Sequence, residues 1–117
     1  MFEVFVNQDI KAGKLKKAYN KTLDQLINGD FASAEVKKMK RHGLFRAKID
    51  YENRLLFKFG RYEDQSCLLV LEIIYNHDYQ KSRFLQGVKV DENKLEPLTH
   101  PSKIEHQQAE QLVFVNK

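Results

Sequence analysis

The sequence predicts an α+β domain in which two N-terminal helices pack on an antiparallel sheet of three to four strands, followed by an irregular C-terminal extension. Between residues 10 and 28, apolar residues recur at intervals of three and four, as they do on one face of a helix. Three segments between residues 44 and 75 show the alternating or continuous apolar pattern of β-strands. Neither pattern persists after residue 85. We therefore expect a domain at residues 1–85 and an extension or linker at residues 86–117.

The N-terminal third supplies one strand and the two helices. Residues 2–6, Phe-Glu-Val-Phe-Val, predict a short first strand. The helix over residues 10–28 is expected to end at Gly29, since glycine readily adopts the left-handed conformation that terminates helices. A second, shorter helix is predicted to run to about Met39, with lysines at the negative end of its dipole.

The central third supplies an antiparallel meander with a cationic face. Its strands are predicted at residues 44–51, 54–59 and 67–75. The first two alternate, so that Arg46, Lys48 and Arg54 lie together on the outward face. The third is apolar at nearly every position, which is typical of a central strand covered on both faces.

Composition excludes several classes of protein. A hydrophobic content of 42% in 117 residues argues against disorder. The single cysteine, Cys67, cannot form an internal disulfide, which fits a reducing cytoplasm. No apolar run approaches the ~20 residues that a membrane-spanning helix needs. No zinc-binding spacing, glycine-rich phosphate loop or hydrolase triad is present, so we expect neither a metal nor a cofactor.

Charge is distributed unevenly along the chain. Residues 1–60 carry 13 Lys or Arg against 7 Asp or Glu, whereas residues 61–117 carry 7 against 9. Residues 37–48 contain no acid and six cations, which are Lys37, Lys38, Lys40, Arg41, Arg46 and Lys48. Such a cluster predicts a polyanionic partner, and nucleic acid suits it better than a membrane. The alternative is a merely solvated surface, which an isolated lysine cluster favours; the cations carried on strands, Arg46, Lys48 and Arg54, make the two interpretations more nearly equal.

The order of these elements and three short motifs resemble the RelE/ParE toxin superfamily over residues 2–85. Gly-Leu-Phe-Arg-Ala-Lys-Ile at 43–49 is similar to its Gly-Leu-Tyr-Arg-hydrophobic pattern, and Arg-Leu-Leu-Phe at 54–57 to its Arg-hydrophobic-hydrophobic-Tyr pattern. His-Asp-Tyr at 77–79 lies where the superfamily places His-Arg or Lys-Arg and then an aromatic residue. The resemblance implies a RelE-like fold. It also implies either cleavage of messenger RNA on the ribosome or, in the ParE branch, poisoning of DNA gyrase.

The resemblance places Arg46 and Lys48 where ribonuclease members carry paired basic residues, and Arg54 on their phosphate-binding arginine. RNA cleavage also needs groups that accept and donate protons. Candidate catalytic residues are His77, for proton transfer, Asp78, to orient it or share the work, and Arg54, on the phosphate. Tyr79 is expected to stack on a base. Candidate nucleic-acid-binding residues are Lys38, Lys40, Arg41, Arg46, Lys48, Arg54 and Tyr79. A turn or capping role suits His77 equally well, and Glu72 and Asp78 place negative charge where many relatives carry a cation.

Three functional hypotheses follow. The first is a toxin-type messenger-RNA endoribonuclease, with RNA or the ribosome as target and an antitoxin as partner. The second is a non-catalytic nucleic-acid-binding or interaction module, since the His-Asp-Tyr-x-Lys end and the long tail are also similar to RelE-fold regions in front of superfamily-I helicases. The third is a gyrase-directed toxin. All three place the protein in the cytoplasm without a membrane partner.

Overall fold

The chain folds around one six-stranded sheet, seen in a computed structural model that describes residues 2–98. The strands are β1 (Glu3–Asn7), β2 (Lys37–Lys38), β3 (Phe45–Lys48), β4 (Arg54–Tyr62), β5 (Gln65–Ile74) and β6 (Leu95–Pro97). Within these residues the α-helix is α1 (Lys16–Ile27), which connects β1 to β2. Short 3₁₀ turns lie at Gly13–Leu15, Tyr75–His77, Tyr79–Lys81 and Glu92–Lys94.

The sheet is mixed, with the strand order β2-β3-β4-β5-β1-β6. β1 runs parallel to β5, and every other neighbouring pair is antiparallel. The expectation of two helices on an antiparallel sheet of three to four strands is therefore wrong. The expected central position of residues 67–75 is confirmed, since β5 lies between β4 and β1.

The second predicted helix is absent because the chain turns away before it begins. Residues 31–35 form turns, and Glu35 adopts a left-handed conformation with φ of 50°, which a continuing helix does not allow. The two lysines that follow then pair with β3 as an edge strand, with Lys37 opposite Arg46. Residues expected in the last turn of a helix thus become part of the sheet.

α1 ends as the sequence predicts. Its buried residues are Tyr19, Thr22, Leu23, Leu26 and Ile27, spaced at one, three and four along one face. Gly29 has φ of +73°, and its N–H donates to the Leu26 carbonyl at 3.0 Å. The Asp30 N–H donates to the Gln25 carbonyl at 2.8 Å, which completes a Schellman motif.

Both faces of the sheet are covered. On one face, α1 and the turns after it bury Ala47, Leu55, Phe57, Leu68 and Val70 in the larger core. On the other face, residues 79–90 fold back over a smaller core of Leu44, Leu56, Leu71, Ile74 and Phe84. This second layer explains why β5 is apolar on both sides.

The chain beyond β5 remains part of the fold as far as the structure describes it. β6 pairs antiparallel with β1, with Asn7 opposite Leu95. The irregular extension expected after residue 85 is therefore wrong for residues 95–97, which lie at the sheet edge. Residues 99–117 of that extension lie outside the described part of the chain.

Candidate nucleic-acid interface

A groove of about 480 Å³ lies beside the edge strand β2, where the returning segment 79–86 meets it. We call it the basic groove. Five cations line it, which are Lys37, Lys38, Lys40, Arg41 and Arg46. The remaining lining residues are Met39, Tyr79, Gln80, Leu85 and Gln86, so no carboxylate lines the groove.

The positive charges of the basic groove repel one another, which lowers the stability of the sheet. Lys37 and Arg46 lie directly opposite each other on β2 and β3, and like charges in that position destabilise a sheet. Among residues 2–98, the three salt bridges involve other cations. A polyanion placed in the groove would reduce this repulsion.

Tyr79 fixes Arg46 in the wall of the basic groove. The Arg46 Nη1 donates to the Tyr79 hydroxyl at 2.5 Å, and the guanidinium carbon lies 5.6 Å from the centre of the Tyr79 ring. Neither the hydroxyl nor the ring of Tyr79 carries a charge, so these contacts do not compensate the positive charge of Arg46. The Arg46 side chain is half-buried, and these two contacts with Tyr79 hold it in one orientation.

Tyr79 reaches Arg46 because the chain reverses direction directly after β5. Asn76 and His77 adopt left-handed conformations with φ of 53° and 57°. The β3–β4 turn holds this reversal, since the Asn76 N–H donates to the Asn53 Oδ1 and the His77 N–H to the Glu52 carbonyl, each at 3.1 Å. The turn that joins two sheet strands therefore also positions one wall of the groove.

His77 and Arg54, two of the candidate catalytic residues, meet at the Tyr51 carbonyl. The His77 Nε2 lies 3.1 Å from this oxygen and the Arg54 Nη1 lies 3.4 Å from it. A carbonyl only accepts hydrogen bonds, so Nε2 carries a proton and, in the neutral ring, Nδ1 is the proton acceptor. Arg54 also donates to the Asp50 carbonyl at 2.6 Å and the Asn53 carbonyl at 3.0 Å, and thereby braces the turn.

The structure thus brings together only part of the predicted site. Lys38, Lys40, Arg41, Arg46 and Tyr79 line the basic groove. The other four candidates do not: Lys48 pairs with Glu35 at 3.3 Å, Asp78 pairs with Lys81 at 3.5 Å, and His77 and Arg54 lie at the β3–β4 turn. His77 is nevertheless adjacent, because its ring centre lies 6.3 Å from that of Tyr79.

Three of the charged or polar residues that line the basic groove were not among the predicted site residues. Lys37 belongs to the basic run, but only its pairing with Arg46 shows that it faces the same space. Gln80 and Gln86 carry no charge signal in the sequence, and the folding back of residues 79–86 places them in the lining.

Glu72, expected to place negative charge near a phosphate, lies elsewhere and is partly desolvated. Burial raises the pKa of this carboxyl above its ordinary value, and the Ser82 hydroxyl that donates to it acts in the opposite direction. Glu72 lines two cavities of about 310 and 210 Å³ and not the basic groove. Its charge therefore does not oppose anion binding there directly.

Residues 2–98 contain neither a cluster of metal ligands nor a membrane-spanning helix. No group of three or more His, Cys, Asp or Glu side chains in this part of the chain is arranged to hold a metal ion. No helix in this part is sufficiently long and apolar to span a lipid bilayer.

Comparison with known proteins yields one solved structure. No protein-family model matches the sequence, and no curated protein matches it. A YoeB/ParE toxin from Agrobacterium tumefaciens is similar in structure, with a TM-score of 0.46 and 15% sequence identity. The match covers 56% of this chain and 77% of the other. At this level of similarity, roles are not transferred between residues, and those given above rest on contacts within this chain.

Proposed function

We propose that this protein is a toxin-type protein that acts on RNA, which it binds in the basic groove. The observation that carries the proposal is the convergence of five cations without a carboxylate, with Arg46 fixed by Tyr79. Sugar-phosphate chains present one negative charge per nucleotide, so a row of cations along a groove fits them better than it fits a singly charged metabolite.

The groove carries two features that suit single-stranded RNA. Tyr79 offers an aromatic ring on which an unpaired base stacks, and stacking of this kind tolerates any base. Gln80 and Gln86 supply amide donors and acceptors, which are the groups that hydrogen-bond a 2′-hydroxyl or a base edge. The cations then hold the phosphates and position the strand.

Cleavage is the proposed activity, with His77 as proton acceptor. Its Nδ1 takes the proton of a 2′-hydroxyl, the 2′-oxygen attacks the adjacent phosphorus, and the bond from phosphorus to the 5′-oxygen breaks. The leaving 5′-oxygen takes a proton from water, and the products are a 2′,3′-cyclic phosphate and a 5′-hydroxyl. Arg46 stabilises the negative charge that grows on the phosphorane oxygens.

A second candidate function, a non-catalytic binding module of a larger helicase-type protein, is favoured by the contacts of Arg54. Its guanidinium is occupied by backbone carbonyls, and the Nε2 of His77 is occupied in the same turn. A module of this kind needs the basic groove but no proton acceptor. A gyrase-directed toxin, in contrast, needs neither the proton acceptor nor affinity for RNA.

Binding is tested by fluorescence anisotropy with a labelled single-stranded RNA of twelve nucleotides and the full chain. Arg46→Ala and Tyr79→Leu are each expected to weaken binding roughly tenfold, within the range for losing a charged contact or a stacked base. Lys21→Ala removes an exposed cation from α1, which covers the opposite face of the sheet, and is the matched control. Equal affinity for wild type, Arg46→Ala and Tyr79→Leu would exclude RNA binding in the groove.

Cleavage is tested on messenger RNA with and without ribosomes, using His77→Asn. Asparagine tolerates the left-handed conformation of residue 77, so the turn is preserved. The expected result is cleavage by wild type and its loss in His77→Asn, with RNA affinity retained. Unchanged cleavage in the variant would remove His77 from the mechanism, and affinity without any cleavage would support the binding module.

A further inference from the structure

The hairpin of β4 and β5 extends beyond the strand next to it. β3 pairs with residues 54–57 of β4 only, although β4 continues to Tyr62. Within residues 2–98, no strand pairs with residues 58–62 on the side away from β5. We call this unpaired stretch the free edge.

The turn of the hairpin determines which backbone groups the free edge presents. Glu63 and Asp64 both have positive φ, 51° and 65°, which is the conformation of a two-residue type I′ turn closed by Tyr62 and Gln65. The closing pair exchanges hydrogen bonds, and such pairs alternate along an antiparallel ladder. Phe59 and Arg61 therefore direct their N–H and C=O groups away from β5.

The outer strands β2 and β6 carry features that protect a sheet edge from pairing with another chain, and these features are weaker on the free edge. β2 consists of two lysines, and β6 is three residues long and contains Pro97. Residues 58–64, in contrast, contain two cations and two acids, so the hairpin tip has no net charge. The free edge is also five residues long, which is sufficient for a regular ladder.

An aromatic cluster lies beside the free edge on the face covered by α1. The Phe59 ring is 36% exposed. Its centre lies 5.0 Å from that of Phe45, 5.9 Å from Phe31 and 6.2 Å from Phe2. Pairing of the free edge therefore buries apolar surface as well as backbone groups.

We propose that the free edge pairs antiparallel with the same edge of a second copy of this chain, about a two-fold axis at Gly60. In this register Phe59 lies opposite Arg61 of the second copy, and the two such pairs exchange four backbone hydrogen bonds. Each Arg61 guanidinium lies beside a Phe59 ring, which is a favourable cation–π arrangement. Lys58 likewise lies opposite Tyr62 of the second copy.

The other two-fold registers that match the outward backbone groups are less favourable. An axis at Arg61 places two arginines directly opposite each other, which destabilises a sheet. An axis at Phe59 requires Phe57 to pair outward, but β3 already occupies that side of Phe57 through Phe45. The sequence of the free edge is thus complementary to itself in one register, which is why a second copy is the partner we assign.

Self-association is tested with the full chain by light scattering and sedimentation over a range of micromolar concentrations. Wild type is expected to dimerise, and Arg61→Glu to raise the dissociation constant of the dimer at least tenfold. Lys21→Glu makes the same change of charge on the exposed face of α1 and is expected to dimerise as wild type does. A wild-type protein that stays monomeric throughout would overturn the proposal and leave the edge to an extended segment of another protein.

The register is tested independently with a nitroxide attached at Ser66→Cys, which is exposed and pairs with Arg61 from the inner side. Native Cys67 is 2% exposed and is not expected to react. Three strand spacings and an offset of two residues along the strands separate the two labelled Cα atoms in the proposed dimer, a distance of ~16 Å. Strong dipolar coupling is expected; a dimer without it would show that another surface associates. None of these three variants alters a residue of the basic groove, so self-association is tested independently of RNA binding.

Discussion

The Ser82 side chain links the returning segment to the sheet by a hydrogen bond to Glu72 of β5. Removal of the Ser82 hydroxyl is expected to destabilise the protein in a pH-dependent way. Ser82 is 2% exposed; its hydroxyl donates to the Glu72 carboxylate and accepts from the Leu85 N–H at 3.1 Å. Ser82→Ala removes both bonds and leaves the Leu85 N–H without this partner. A hydrogen bond to a charged group and an unsatisfied, partly buried donor together correspond to ~2–4 kcal/mol.

The pH dependence follows from Glu72. Burial raises the pKa of Glu72, so the folded state holds its proton more tightly than the unfolded state does. The folded state is therefore favoured most below the ordinary value of 4.5, and this part of the stability is lost as pH rises through the folded-state pKa. Above that pKa the Ser82 hydroxyl donates to a charged carboxylate, and such bonds are stronger than neutral ones. Ser82→Ala is thus expected to cost more at pH 8 than at pH 4.

Urea unfolding at pH 4 and pH 8 measures the free energy of unfolding of each protein. The proteins compared are wild type, Ser82→Ala, Glu72→Gln and the double variant, and the double variant shows whether the two effects are coupled. Glu72→Gln keeps an oxygen that accepts from Ser82 and is expected to abolish the loss of stability with rising pH. An equal cost of Ser82→Ala at pH 4 and pH 8, together with additive effects in the double variant, would refute the coupling of Ser82 to Glu72.

Three further predictions test the fold. Phe57→Ala is expected to cost ~3–5 kcal/mol in urea unfolding because this ring is fully buried, whereas Tyr51→Ala, at an 83% exposed position, is expected to change stability by less than ~0.5 kcal/mol. Gly29→Ala is expected to cost ~1 kcal/mol because residue 29 has φ of +73°, and an unchanged melting temperature would contradict the Schellman ending. Desolvation alone raises the pKa of Asp50, but hydrogen bonds from Asn53 keep this pKa below its usual value. The contribution of Asp50 to stability is therefore present at neutral pH and lost as pH falls through the folded-state pKa. Asp50→Ala is therefore expected to cost ~1–2 kcal/mol at pH 7 and little in acid, and an equal cost at both would contradict the hydrogen bonds of the turn.

The parts of the fold that could be predicted are those whose signal is local. The stripe of α1, the ending at Gly29 and the central position of β5 follow from periodicity and glycine chemistry within a few residues. β2 and β6 have two and three residues, which is too short for any periodicity, and they are defined only by their distant partners. The parallel pairing of β1 with β5 joins residues more than sixty positions apart, and a hydrophobic pattern does not specify which strands become neighbours.

The site shows the same division between local and long-range information. The basic run could be located from composition, and alternation correctly places Arg46 on the face away from α1. Whether a long cationic side chain lines the groove depends on its partners, however. Arg54 is held by carbonyls of its own turn and Lys48 by Glu35, contacts that depend on turn conformations which the sequence pattern does not show. The roles predicted for these residues in binding or catalysis stay predictions.

The most direct test of the basic groove as an RNA site is the salt dependence of RNA affinity. For single-stranded nucleic acid, each phosphate contact contributes ~0.7 to the slope of log affinity against log salt concentration. Arg46→Ala is therefore expected to flatten the slope by ~0.7 and the Lys38→Ala, Arg46→Ala double variant by ~1.4, while Lys21→Ala leaves it unchanged. A folded double variant with the slope of wild type would contradict the central claim, because the groove cations would then make no contact with phosphate.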